Sequence, residues 1–198
     1  MNVSQPILSL PREPTPSLSL DLGRPQRAVY ELMEAGAFAG AVLDVGCASG
    51  EHTLLLAAHG LTVTGVDDQP PLIARAQRQA RDRHLDADFA LVDLLRLPLL
   101  GRVFDCALDA GTLHRFTLAE RAAYARSLHG VLAPGARLYV LVFGDHERGH
   151  GGPARISQDE LHAAFDEGFT VEKIVDSRFE SHIFPGGANA WLATLTRR

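Results

Sequence analysis

The sequence predicts an α/β protein of three layers, with a mostly parallel seven-stranded sheet between helices and an antiparallel C-terminal strand. Three observations carry that expectation. From Ala41 onward, short apolar runs of strand length alternate with longer helical stretches, the pattern of a parallel sheet joined by right-handed crossovers. The first strand runs directly into a turn of small residues, Gly46-Cys47-Ala48-Ser49-Gly50. The chain ends on two β-rich runs whose connection contains Pro185-Gly186-Gly187, which suits an antiparallel pair.

Residues 1–22 are rich in Pro, Ser and Leu without sustained periodicity and are expected to form a flexible arm, leaving 23–198 as one domain. A first helix is expected from about Pro25 to Gly36, where Pro25 suits a first turn and Val29, Leu32 and Met33 form an apolar stripe. The first strand is Ala41–Val45. After the small-residue turn comes a helix at Glu51–His59, closed by Gly60. Thr62–Val66 is the second strand and Pro71–Arg83 a long helix. Asp88–Val92, Val103–Leu108 and Arg137–Phe143 are further strands, with an Ala- and Leu-rich helix at Leu118–Leu132 between the last two. A helix at Gln158–Glu167 precedes the closing runs Thr170–Ser177 and Asn189–Thr196.

Composition narrows the function. The net charge is −5 and Lys173 is the only lysine, so the clustered cations that phosphate contacts require are missing, which argues against a nucleic-acid partner. No apolar run reaches the roughly 20 residues of a bilayer span. Prolines at 6, 11, 14 and 16 interrupt any signal-like stretch, which makes a cytoplasmic enzyme the default. Cys47 and Cys106 are too few for a disulfide framework or a zinc knuckle and read as inert thiols.

The small-residue turn lets backbone approach a ligand, and the helix behind it presents free N–H groups to negative charge. A dinucleotide fingerprint needs a small residue five positions after Gly46, where Glu51 stands. Asp44, Gly46 and Gly50 instead resemble the first motif of class I S-adenosylmethionine-dependent methyltransferases, with Ala48 in place of a middle glycine. The resemblance spans roughly residues 24–196 and implies a Rossmann-like sheet with S-adenosylmethionine as cofactor. It places Cys47, Ala48 and His52 against the cofactor. Asp67, with Asp68 beside it, would hold the ribose; Asp93 and Leu94 would meet the adenine; Asp109 would lie near the methionine part. Taken singly, each acid could equally cap a helix or open a turn. Gly23-Arg24-Pro25-Gln26 is similar to a bacterial small-molecule branch that methylates quinol-like, heterocyclic or thiol acceptors, and there Gln26 would help roof the site.

Methyl transfer is an in-line displacement that needs alignment, exclusion of water and sometimes a base, but no covalent intermediate. His114, after the fourth strand, is the candidate base; the other reading is a histidine that only orients its loop. Phe143, His146, His150 and Arg155 are candidate acceptor contacts. His146-Glu147-Arg148-Gly149-His150 matches the zinc-protease pattern, but the glycines around it break the helix that pattern requires, so no metal is expected. Asp68-Gln69-Pro70-Pro71 is not the motif of amino-directed nucleic-acid methyltransferases, because it follows the second strand and not the fourth. A nicotinamide oxidoreductase and a catalytically silent cofactor-binding module stand as alternatives on the same fold.

Overall fold

A computed structural model describes residues 21–148 and 152–198. Seven strands form the sheet: β1 (Ala41–Val45), β2 (Thr62–Asp67), β3 (Asp88–Leu91), β4 (Phe104–Ala110), β5 (Leu132–Phe143), β6 (Phe169–Phe179) and β7 (Ala188–Arg197). Five helices accompany them: α1 (Arg27–Glu34), α2 (Glu51–Ala58), α3 (Pro70–Asp82), α4 (Leu118–His129) and α5 (Gln158–Phe165). The strand order is β3-β2-β1-β4-β5-β7-β6. The first five strands are mutually parallel, and β7 is antiparallel to both neighbours, β5 and β6. The predicted architecture is therefore the observed one.

The sheet is buried on both faces, which is why β1 and β5 read as near-continuous apolar runs. On one face Val29 of α1 and Leu56 of α2 pack with Phe38, Val42, Val63, Leu108 and Tyr139. On the other face α4 and α5 contribute Tyr124, Leu128, Leu161 and Phe165 to the larger cluster around Leu43, Ala107, Leu138 and Val140. Both α4 and α5 begin with reciprocal capping boxes, Thr117 with Glu120 and Ser157 with Glu160.

Several boundaries differ from expectation for identifiable reasons. The chain at Gln26 stays extended, because its backbone and side chain are engaged outside the helix, and α1 starts only at Arg27. β4 continues to Ala110, held in parallel register by β1 and β5. β5 begins at Leu132, opposite Phe104; Ala133-Pro134-Gly135 is an irregularity within that strand, and α4 stops at His129. Two 3-10 segments, Leu94–Leu100 and Leu113–Arg115, carry no periodic signal because they are one to two turns long. The proposed arm lies almost wholly outside the described residues, which include Asp21 and Leu22 from it. Among the described residues, no helix is long and apolar enough to cross a membrane.

β2 lies on one side of β1 and β4 on the other, so the chain reverses its direction of winding between β1 and β4. The crevice outside the carboxyl ends of strands at such a point is where sheets of this kind bind ligands.

Candidate active site

A cavity of about 440 Å³ opens at that crevice. Its floor is the turn after β1 (Gly46, Cys47, Ala48, Ser49) and the start of α2 (Glu51, His52). Asp67 and Gln69 close it from β2; Ala110, Gly111, Thr112, His114 and Arg115 close it from β4. Asp21, Leu22, Arg24 and Gln26 form one side of the roof, and Gly152, Pro153, Ala154, Phe179 and Ile183 the other.

The small-residue turn is shaped by protein contacts as much as by any ligand. A Cβ on Gly46 would sit 1.9 Å from the Thr112 hydroxyl, whose own hydrogen bond goes to the Val45 carbonyl. A Cβ on Gly50 would press on Ala76 of α3 and Phe89 of β3 at 2.9–3.0 Å, and Gly50 itself does not line the cavity. Ala48 adopts φ +48°, a left-handed conformation unfavourable for a residue with a Cβ. That conformation directs its N–H to Asp67 Oδ2 at 3.0 Å.

Asp67 is 1% exposed and accepts from Ala48 and Gln69, both at 3.0 Å. Burial pushes its carboxyl up to about 6, against the pull of the Arg115 guanidinium. A buried, cavity-facing carboxylate is suited to a pair of vicinal hydroxyls. Asp68 is not among the cavity-lining residues and takes two short contacts, 2.8 and 3.0 Å, from Arg115 Nη2.

The other predicted acids also have protein partners in this arrangement. Asp44 is buried and accepts from the Thr53 hydroxyl at 2.6 Å, tying the first turn of α2 to β1. Asp109 is fully buried and accepts from the Thr112 and Leu113 N–H groups and from the Tyr124 hydroxyl, organising the loop that carries His114. Asp93 is exposed and caps the 3-10 segment through the Leu95 N–H, while Leu94 is buried in the core. Neither residue lines the cavity.

His52 accepts the Gln26 N–H on Nε2 at 3.1 Å, which leaves Nδ1 as the protonated nitrogen of the neutral ring, and burial lowers its pKa. Gln26 is 3% exposed, and its amide makes two 2.8 Å bonds with the backbone of Glu180, one to the carbonyl and one from the N–H. The carboxylate of Glu180 takes both Nη groups of Arg24 and the N–H of Arg27. The segment before α1 is thus fastened to the connection after β6.

His114 is 6% exposed and edge-on to Phe143 and Phe179, with ring centroids 5.3 and 6.0 Å away. Among the described residues neither ring nitrogen has a hydrogen-bond partner. Burial, with the nearby Arg115 and Arg121 charges, lowers its pKa to about 3, so the ring is a neutral acceptor facing the cavity.

Of the acceptor-loop candidates, Phe143 stacks behind Phe179 at 4.6 Å, supporting the wall without forming its surface. His146 packs on Trp191 at 4.0 Å, and Glu147 accepts the Asn189 N–H; both lie in a turn and not a helix. The loop's contribution to the cavity comes from Gly152, Pro153 and Ala154, with Arg155 one position beyond. His150 is outside the described residues. Among the described residues no group of three or more His, Cys, Asp or Glu side chains could hold a metal ion.

Arg115, Gln69, Phe179 and Ile183 escaped sequence reading. Arg115 and Phe179 are set there by partners distant in sequence, Asp68 and Phe143. The one available signal was an arginine beside the candidate histidine in an otherwise apolar loop.

A strand–turn–helix cradle, a buried carboxylate at the tip of the adjacent strand and an unpartnered polar ring opposite suit a nucleoside cofactor. Comparison with known proteins agrees. Residues 42–135 match the model of a methyltransferase domain. The chain is 31% identical over 160 residues to the 2-heptyl-1-hydroxyquinolin-4(1H)-one methyltransferase of Mycobacteroides abscessus, covering 79% of this chain and 70% of that one. The demethylmenaquinone methyltransferase of Thermus thermophilus is 37% identical over 113 residues, covering 56% of this chain and 50% of that one. A structure from work on the conversion of a disulfide bond into a thioacetal group during echinomycin biosynthesis superposes with a TM-score of 0.82 at 35% identity, over 90% of this chain and 84% of that one. The fold is shared with magnesium protoporphyrin IX methyltransferase of Synechocystis with bound S-adenosylmethionine, at 20% identity and a TM-score of 0.68 over 86% of this chain and 76% of that one. The chain belongs to the S-adenosylmethionine-dependent methyltransferases. Membership removes the nicotinamide oxidoreductase alternative.

Proposed function

We propose that the protein methylates a hydroxyl or thiol on a flat, apolar aromatic small molecule, with residues 23–198 acting as one catalytic unit. The observation that carries this reading is His114, a buried neutral imidazole with unsatisfied nitrogens beside an aromatic wall. A buried polar ring without a partner costs about 1–3 kcal/mol, and an acceptor hydroxyl donating to it would remove that cost. Phe179 and Ile183 on the roof suit a planar apolar body. The relatives add support: one is named for a hydroxyquinolinone, and another structure comes from sulfur chemistry.

S-adenosylmethionine supplies an electrophilic methyl group for in-line displacement. Asp67 would hold its ribose, and Gly46, Cys47 and Ala48 would border it. His114 would accept a hydrogen bond from the acceptor O–H or S–H and take that proton as the oxygen or sulfur attacks. A ring of low basicity suffices, because a hydroxyl oxygen gains strong acidity as it becomes alkylated. The Phe143–Phe179 stack and the Gln26–Glu180 contact would keep water out.

The test is an acceptor screen with methyl-labelled cofactor in the presence of a chelator. Transfer to hydroxylated heteroaromatics, phenols or aromatic thiols, undiminished by chelation, is expected. Transfer to amines alone, or activity restored only by a divalent metal, would refute the assignment.

Removing the Asp67 carboxylate should weaken binding of S-adenosylmethionine by about 1.5–3 kcal/mol for each hydrogen bond lost to the charged group, read by calorimetric titration. Unchanged affinity in Asp67→Ala would show that the ribose sits elsewhere.

A further inference from the structure

We propose that Arg115 is a positioning residue for the cofactor, bridging to Asp68 across the end of β1 and thereby keeping the neighbouring Asp67 carboxylate charged and aimed into the cavity. The proposal rests on the reading of Asp67 as the ribose-binding acid.

Topology makes the bridge consequential. Asp68 follows β2 directly, and Arg115 belongs to the 3-10 segment after β4. Because β1 lies between β2 and β4, an ion pair joining these two places must pass over the carboxyl end of β1, where the small-residue turn begins. Both partners are largely buried, with side chains 13% and 22% exposed, so solvent screens the pair weakly. Nη2 meets both oxygens of Asp68, and the guanidinium forms part of the cavity wall together with Asp67.

Asp67 needs such a neighbour. Its two protein hydrogen bonds come from the backbone of Ala48 and Gln69, and burial works against its charge. The titratable and charged groups that face it are few. Asp68 on its own turn disfavours the charged form, and Cys47 from the β1–α2 turn is a neutral thiol held far above its ordinary pKa by burial. Among the described residues, Arg115 is the cation acting on it. Asp68 also holds Arg115 in place, so one ion pair fixes the position of the cation on which Asp67 depends.

The test follows the affinity for S-adenosylhomocysteine from about pH 5 to pH 8 by calorimetry, in the wild type, Arg115→Met, Arg115→Lys and Asp67→Asn. Ribose hydroxyls donate to the ionised carboxylate, so wild-type affinity should fall as pH drops through about 6. In Arg115→Met the fall should begin at higher pH, with about a tenfold loss for each unit by which the midpoint moves. Arg115→Lys retains a point charge and should restore most of the wild-type profile. Asp67→Asn should bind weakly with no slope in this range. Superimposable profiles for wild type and Arg115→Met, or a lysine variant no better than methionine, would overturn the role of Arg115. A full-affinity Asp67→Asn would overturn the ribose assignment as well, which separates the two failures.

Discussion

Asp109→Ala should destabilise the protein by about 3–5 kcal/mol, the largest stability change expected of any single substitution at the site. The carboxylate is fully buried and serves the N–H groups of Thr112 and Leu113 and the hydroxyl of Tyr124. Alanine leaves all three donors in a water-free place. Asparagine keeps an acceptor oxygen and lets the Tyr124 hydroxyl turn from donor to acceptor, so Asp109→Asn should lose only about 1–2 kcal/mol. Burial pushes the Asp109 carboxyl up to about 7 from the ordinary 3.8. The native state therefore holds the proton more tightly than the unfolded chain, and the residue's stabilisation is complete in acid and is lost as pH rises through about 7. Urea denaturation should show the gap between wild type and Asp109→Asn wider near pH ~5 than near pH ~8. A gap of equal width at the two pH values would show that Asp109 is ionised throughout.

The largest effect on chemistry is expected at His114. His114→Ala should lower kcat by about 10²–10⁴-fold while leaving cofactor affinity nearly intact. The loss should be greatest for weakly acidic hydroxyl acceptors, which must surrender a proton, and smallest for thiols already partly ionised. Because the ring titrates near 3, the wild-type kcat should show no histidine inflection between about pH 5 and pH 8. Steady-state kinetics with a phenol and a thiol, in wild type and variant, check this. Losses of equal size for both acceptors would leave His114 as a packing residue.

The sheet was legible in the sequence because each inner strand is a short apolar run bounded by turn residues, and β1 ran unmistakably into its turn. Asp67 was legible for a geometric reason: the last residue of a strand beside the turn has only one place to face. Distance along the chain hid other parts. Nothing in Glu51 or Asp68 announces that Arg83 and Arg115 will find them 32 and 47 residues away. Asp44 and Asp109 stand at strand ends, where acids serve ligand binding and loop anchoring alike, and nothing in the sequence shows the Thr53, Thr112, Leu113 and Tyr124 donors that the fold brings to them. The roof was least legible. Phe179 and Ile183 sit where β6 leaves the sheet, and no periodicity marks which side chains of an edge strand turn over a cavity.

The contact between Gln26 and Glu180 spans 154 positions of the chain. Contacts of such separation carry a loop-closure cost in the unfolded chain that falls once the sheet between them is in place. They join an extended stretch to a connection and not two packed strands. The entrance to the cavity is thus held by a junction outside the ladders of the sheet. Breaking that junction would leave every strand pairing of the sheet intact.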